Sequence, residues 1–238
     1  MRPYGHSNTS GAKPAFWART RALALGALLS LGFGAWPAGG APTVGSSATT
    51  THVYLLRGVL NVFSLGLDQI AAQLESQGIP VTVANFVSWS TLADEAAAAY
   101  RAGRLKTIVL VGHSSGATAL PDMIAKLHQE GVPVKLAIGL DSVFKTRLST
   151  GAERYINFYI GNGNGEPVRA AGDLRGKLDN VDVQSMGIGH ISIDKNEIMQ
   201  RKVIGAIDSV VFGGHQRGLA GPASRRAKPV ANAASSGN

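Results

Sequence analysis

The sequence predicts an α/β protein with a mostly parallel central sheet flanked by helices on both faces. Two observations carry that prediction. From His52 onward, short β-prone apolar runs alternate with helical periodicities, the order that builds parallel sheets from β-α units. The run from Lys106 to Val111 then reads as a continuously apolar strand, which suits a central position covered on both sides.

The elements follow in order. His52 to Leu56 is a first strand, and Leu67, Ile70, Ala71 and Leu74 recur at helical spacing before Gly78-Ile79-Pro80 stops that helix. Val81 to Phe86 is a second strand. Thr91 ahead of Ala93-Asp94-Glu95 is a reasonable start for an Ala-rich helix ending near Gly103. After the strand ending at Val111, a helix is expected from about Ser115 to His128, interrupted and kinked at Pro121. Val134 to Leu140 is a fourth strand, Tyr155 to Ile160 a fifth, and Val181 to Val183 a short sixth. A last helix starts near Ser192, with Met199, Val203, Ala206, Ile207 and Val210 on one face. No internal repeat is visible.

Composition bounds the class. With 45% hydrophobic and 16% charged residues, the 238-residue chain is expected to fold around a core rather than stay disordered. It has no cysteine, which excludes disulfides, zinc–thiolate sites, iron–sulfur clusters and a thiol nucleophile. The formal charge of +8 resembles a nucleic-acid signal, but the excess lies at the ends: Arg2, Lys13, Arg19 and Arg21, then Arg217, Arg225, Arg226 and Lys228. From Pro42 to Phe212 there are 15 basic and 15 acidic residues, so no basic groove for nucleic acid is expected in the fold.

The ends are read separately. Residues 1–41 run from basic through apolar (Ala22 to Trp36) to small residues, the pattern of a signal peptide; an uncleaved anchor and a buried N-terminal helix are the alternatives. Residues 42–51 read as a linker, 52–213 as the folded domain and 214–238 as a disordered basic tail. The expected location is outside the cytoplasm, periplasmic or secreted, or anchored to the membrane. Weak membrane association is open to the N-terminal segment.

One segment carries chemistry. Gly112-His113-Ser114-Ser115-Gly116 matches G-x-S-x-G between a strand and a helix, the context of a nucleophile elbow. There the Ser114 hydroxyl would project at the top of the sheet, and the Ser115 N–H at the helix N-terminus would face a developing oxyanion. A serine needs a base, and the base an orienting acid. Downstream histidines are His128, on the following helix; His215, in the tail; and His190, in the Gly-rich loop Met186 to His190. His190 is the expected base. Asp141, at the end of a strand, is the expected acid, against Asp173, Asp179 and Asp182 in loops or beside the weak strand. A second oxyanion donor is expected after the first strand, from the N–H of Val59 or Leu60. Gly161 to Gly165 reads as a loop, since no helix or P-loop lysine follows it. His113 is expected to pack or hydrogen-bond locally. The histidines are too scattered for a metal site, and no cofactor is implied.

On these residues the chain from about His52 to Val211 resembles the α/β-hydrolase superfamily, lipase/esterase-like and thioesterase-like serine hydrolases in particular. Arg57-Gly58 stands where those proteins have an oxyanion His-Gly, Gly112 to Gly116 resembles the lipase G-H-S-x-G, Gly139-Leu140-Asp141 resembles their Gly-Leu-Asp, and Gly189-His190 resembles their histidine loop. The resemblance implies a minimal α/β-hydrolase fold without a large lid, a Ser-Asp-His triad, and an acyl ester or thioester substrate that is small or lipid-like. Arg57 departs from the histidine of the pattern. The loop Asn61 to Leu65 and the segment Ser88 to Leu92, with Trp89, are expected to border an apolar acyl pocket. Two other readings stand beside this one: a non-catalytic periplasmic binding protein on the same fold, and an amidase or peptidase with the same triad.

Overall fold

A computed structural model describes residues 46–59, 61–163 and 165–213. Residues 1–45, where a signal peptide is expected, Leu60, Asn164, and residues 214–238 with His215 lie outside the described residues. In chain order the elements are α1 (Ser46–Thr49), β1 (Thr51–Arg57), α2 (Gly66–Ser76), β2 (Val81–Asn85), α3 (Trp89–Arg101), β3 (Thr107–His113), α4 (Ser115–Gln129), β4 (Leu136–Leu140), β5 (Arg147–Leu148), β6 (Arg154–Tyr159), β7 (Arg169–Ala170), β8 (Lys177–Asp182) and α5 (Glu197–Val211). Six strands form one sheet in the order β2-β1-β3-β4-β6-β8, every neighbouring pair parallel; β5 and β7 make a separate two-stranded ladder.

Strand residues alternate between two buried clusters, as the two-residue period of a strand requires. Val53, Leu55, Val109, Val111, Ile138 and Leu140 pack with α2 and α5 on one face. Tyr54, Leu56, Ile108, Leu110, Ala137 and Tyr155 pack with α3 and α4 on the other. Helices therefore cover both faces, and the expected α/β class with a parallel central sheet is found.

The order of strands locates the site. The chain leaves β1 toward β2 on one side, then returns to place β3 on the other side of β1. Such a reversal opens a crevice at the C-terminal ends of the two central strands. Gly58 follows β1 there, and Ser114 follows β3.

Four elements differ from expectation. The sixth strand is not Val181 to Val183 but Lys177–Asp182; it is an edge strand whose side chains are mostly exposed, so it lacks the apolar signature of its neighbours. The last helix begins at Glu197 rather than Ser192, because the Asn196 carboxamide oxygen accepts from the N–H groups of Ile198 and Met199 and caps it there. α3 starts at Trp89, ahead of Thr91, after a single 3-10 turn (Phe86–Ser88) capped by Asn85. Finally, α4 runs unbroken across Pro121. A proline leaves the carbonyl four residues back without its helical donor; here the Tyr155 hydroxyl donates to that Ala117 carbonyl at 3.5 Å. Burial pushes the Tyr155 phenol upward, which keeps it a donor.

Candidate active site

The crevice is built by close approach of backbone. A Cβ on Gly116 would lie 1.9 Å from the Leu56 carbonyl oxygen, and one on Gly58 would lie 2.8 Å from Ser114 Cβ. Glycine at these positions lets α4 start against β1 and lets the loop after β1 touch the serine. Ser114 itself sits at φ 59, ψ −122, a conformation costly for a residue with a side chain. Its N–H donates to the Leu140 carbonyl at 3.0 Å, which ties the strained turn to the end of β4.

Three side chains meet at this turn. Ser114 Oγ lies 3.0 Å from His190 Nε2, and His190 Nδ1 lies 2.6 Å from Asp141 Oδ2. A carboxylate only accepts, so Nδ1 carries the proton and Nε2 is the lone-pair face turned to the serine. Asp141 is fully buried at φ 51, and its second oxygen accepts from the Ile160 N–H at 2.9 Å. Its oxygens therefore orient the ring and tie down the end of β6, instead of capping the turn that follows. Of the rival acids, Asp179 binds Arg154 and Lys177, and Asp182 accepts from Gly161 and Gln184. His128 is exposed on α4.

The residues expected to supply oxyanion donors, Ser115 and Val59, adjoin Ser114 in the chain and Gly58 in the loop that approaches it. Ser115 is the first residue of α4 and buried, and the first N–H groups of a helix have no intrahelical acceptor. Val59 follows Gly58, whose carbonyl accepts from Asn85 Nδ2 and from the Asn61 N–H. Asn85 Nδ2 also donates to Asn61 Oδ1 at 2.9 Å, and Asn61 adopts φ 57. Arg57 is turned into an ion pair with Asp68 on α2, so this loop is shaped by Asn85, Asn61 and the Arg57–Asp68 pair.

Polar links lie behind the site, and beyond a hydrogen-bonding role for His113 the sequence does not predict them. Buried Ser64 accepts from the Gly58 N–H at 3.0 Å and lies 2.8 Å from His113 Nδ1. His113 Nε2 lies 2.9 Å from the His190 carbonyl oxygen. Farther out, Lys195 Nζ donates to the carbonyls of Phe63 (2.7 Å) and Ile191 (2.6 Å), and buried Asp194 accepts from the Gly66 N–H at 2.8 Å. The one hint in the sequence is a polar residue set among apolar ones, as in Val62-Phe63-Ser64-Leu65 and Ile191-Ser192-Ile193-Asp194. In the loop expected from Gly161 to Gly165, Gly165 packs on the acid: a Cβ there would lie 1.9 Å from Asp141 Oδ1.

A cavity of about 370 Å³ opens beside Asp141 and His190, lined also by Ile160 and Ile188. Exposed apolar side chains crowd the segments that lead out of the strands here: Val59, Val62, Phe63 and Leu65 after β1, Phe144 after β4, and Ile191 beside the histidine. Trp89 is half-buried and packs on the core cluster beneath α3. Among the described residues, no group of three or more His, Cys, Asp or Glu could hold a metal ion, and no helix is long and apolar enough to cross a membrane.

No family model matches the chain, and no curated protein does. Solved structures do. A Xanthomonas campestris pv. campestris protein described as a hydrolase of the alpha/beta superfamily is 16% identical, over 66% of this chain and 98% of that one, with a TM-score of 0.41. The thioesterase domain that cyclizes the lipopeptide antibiotic surfactin is 14% identical, over 67% and 90%, at 0.44. An acetyl xylan esterase is 14% identical, over 68% and 98%, at 0.39. Identities this low say nothing of substrate.

Proposed function

We propose that the protein is a serine hydrolase that cleaves carboxylic esters or thioesters through an acyl-enzyme. The observation that carries this reading is the continuous chain Ser114 Oγ–His190–Asp141, at 3.0 and 2.6 Å, on a serine held at φ 59. Ser114 Oγ attacks the substrate carbonyl carbon while its proton passes to His190 Nε2. Asp141 keeps the imidazole in the Nδ1–H tautomer and stabilises the imidazolium. The N–H groups of Ser115 and Val59 receive the oxyanion, a contribution of about 2.7–4 kcal/mol per donor in comparable sites. The tetrahedral adduct collapses, and the leaving alcohol or thiol takes the proton from His190. Water repeats the sequence: it gives a proton to His190, attacks the acyl carbon, and the acid leaves as Ser114 recovers its hydrogen.

The exposed apolar residues around the crevice favour an acyl chain as the group recognised, small or lipid-like. The basic-apolar-small order of residues 1–41 supports export as the protein's route. A fluorophosphonate probe tests the chemistry. Wild type is expected to be labelled and Ser114→Ala not; an unlabelled wild type, beside a labelled control hydrolase, sinks the proposal. A chain-length series of p-nitrophenyl esters and acyl-thioesters then separates ester from thioester preference, and inertness toward all of them favours a binding protein.

A further inference from the structure

The residue before the nucleophile is buried and has a definite hydrogen-bond direction. His113 Nε2 faces the His190 carbonyl oxygen, which can only accept, so Nε2 carries a hydrogen. Burial disfavours the charged ring, against the pull of Asp194, and this leaves Nδ1 bare. The bare Nδ1 accepts the Ser64 hydroxyl hydrogen, and Ser64 Oγ in turn accepts the Gly58 N–H. Donors and acceptors then alternate without conflict from Gly58 through Ser64 and His113 to His190. The two histidine rings lie 5.0 Å apart and hold opposite tautomers.

The two ends of this chain matter. Gly58 is the backbone that touches Ser114 and precedes the proposed oxyanion donor Val59. His190 is the proposed base. We propose that His113 is a positioning residue, one buried ring that sets the loop after β1 and the loop of the base against each other across the nucleophile. This rests on the hydrolase reading above. Turning the Gly58 N–H into Ser64 fixes the Arg57–Gly58 peptide, and the bonds from Asn85 and Asn61 to the Gly58 carbonyl hold the next peptide, which carries the Val59 N–H. Holding the His190 carbonyl fixes the backbone from which the imidazole reaches Ser114. Displacing a catalytic group by about 1 Å costs on the order of 10²-fold in rate, so a bracket at this point acts on turnover more than on binding. The outer links through Lys195 and Asp194 join the same two segments. They keep the segments together when His113 is changed.

The test uses the full chain with His113→Ala, His113→Gln, Ser64→Ala and the double change of Ser64 and His113 to Ala. Gln retains an N–H donor near the Nε2 position. Expected for His113→Ala is a fall in kcat of about 10²-fold with KM nearly constant, partial recovery in His113→Gln, and a double variant no worse than His113→Ala alone. The ¹⁵N spectrum of the wild-type ring must show a protonated Nε2 and a bare Nδ1. A folded His113→Ala or Ser64→Ala that keeps wild-type kcat, or a ring protonated at Nδ1 in its place, overturns the proposal. Hydrogen exchange at the Gly58 amide and at the Ser192 amide, which donates to the Gly189 carbonyl at 3.0 Å within the loop of the base, separates this from failure of the hydrolase reading. If wild type resists fluorophosphonate but both amides exchange faster in His113→Ala, the bracket stands without the chemistry. If neither amide changes, the bracket falls too.

Discussion

At Ser114 the chain accepts a costly backbone conformation that turns the hydroxyl to His190, and the neighbours that over-determine it are backbone atoms more than side chains. The Leu140 carbonyl holds its N–H, the glycine at 116 admits Leu56, and the glycine at 58 admits the serine itself. This makes Gly58 a sharp probe. In Gly58→Ala the new methyl would lie 2.8 Å from Ser114 Cβ and 3.2 Å from Oγ, so one of the two loops must shift. Esterase activity is expected to fall by about 10²-fold while circular dichroism stays native; activity within a few-fold of wild type would show that the loop moves freely. Asp141 supports a second prediction. Asp141→Asn places an amide where His190 needs an acceptor, and the wrong tautomer then faces Ser114. Loss of the carboxylate is expected to lower kcat by about 10⁴-fold with KM little changed, measured on a p-nitrophenyl ester.

At the scale of elements, local chemistry decides boundaries that hydrophobic periodicity leaves open. Asn196 ends the turn after the base and starts α5 by accepting two N–H groups. Asn196→Ala should cost about 1 kcal/mol, a drop in Tm of about 2–4 °C for a domain of this size. Activity at low temperature should be retained, because Asn196 touches no group in the crevice. The same contrast explains what the sequence shows of the fold and the site. β1, β3 and β4 are legible because burial on both faces demands unbroken apolar runs. β8 is not, because an edge strand bearing Lys177, Asp179, Asn180 and Asp182 looks like a loop. Ser114, Asp141 and His190 are legible because each stands at a strand end or in a Gly-rich loop, in a fixed chain order. The chain from Gly58 through Ser64 to His113 and the Lys195 and Asp194 links are not. Ser64 and His113 lie 49 residues apart and Lys195 and Phe63 132, several of the partners are backbone atoms, and no motif records such a pairing.

For the whole molecule, the two-sided core forces histidines into places where charge is unwelcome, and this gives folding stability a definite pH dependence. His113 is buried behind the nucleophile, and burial lowers its pKa below the ordinary value of 6.5; Asp194 and the bond to the His190 carbonyl oppose that shift, while the His190 ring and Lys195 reinforce it. His52, stacked on Tyr54 and bonded to Thr82 across the β1–β2 pair, is lowered by burial as well. In the unfolded chain both rings take a proton near pH 6.5, but in the folded protein they do so only at lower pH. Between those limits the unfolded state binds more protons, so stability falls as pH drops and levels off once the folded rings are charged. Asp208 works in the opposite sense at lower pH, since burial raises its carboxyl and the folded state gains protons first. The Tm is therefore expected to be flat above about pH 6.5 and to decline below it. His113→Gln should flatten part of that decline, and a second change, His52→Gln, should flatten more. A Tm that holds steady from pH 7 to 5 in wild type, or a slope that survives both substitutions, would show that neither ring carries the effect.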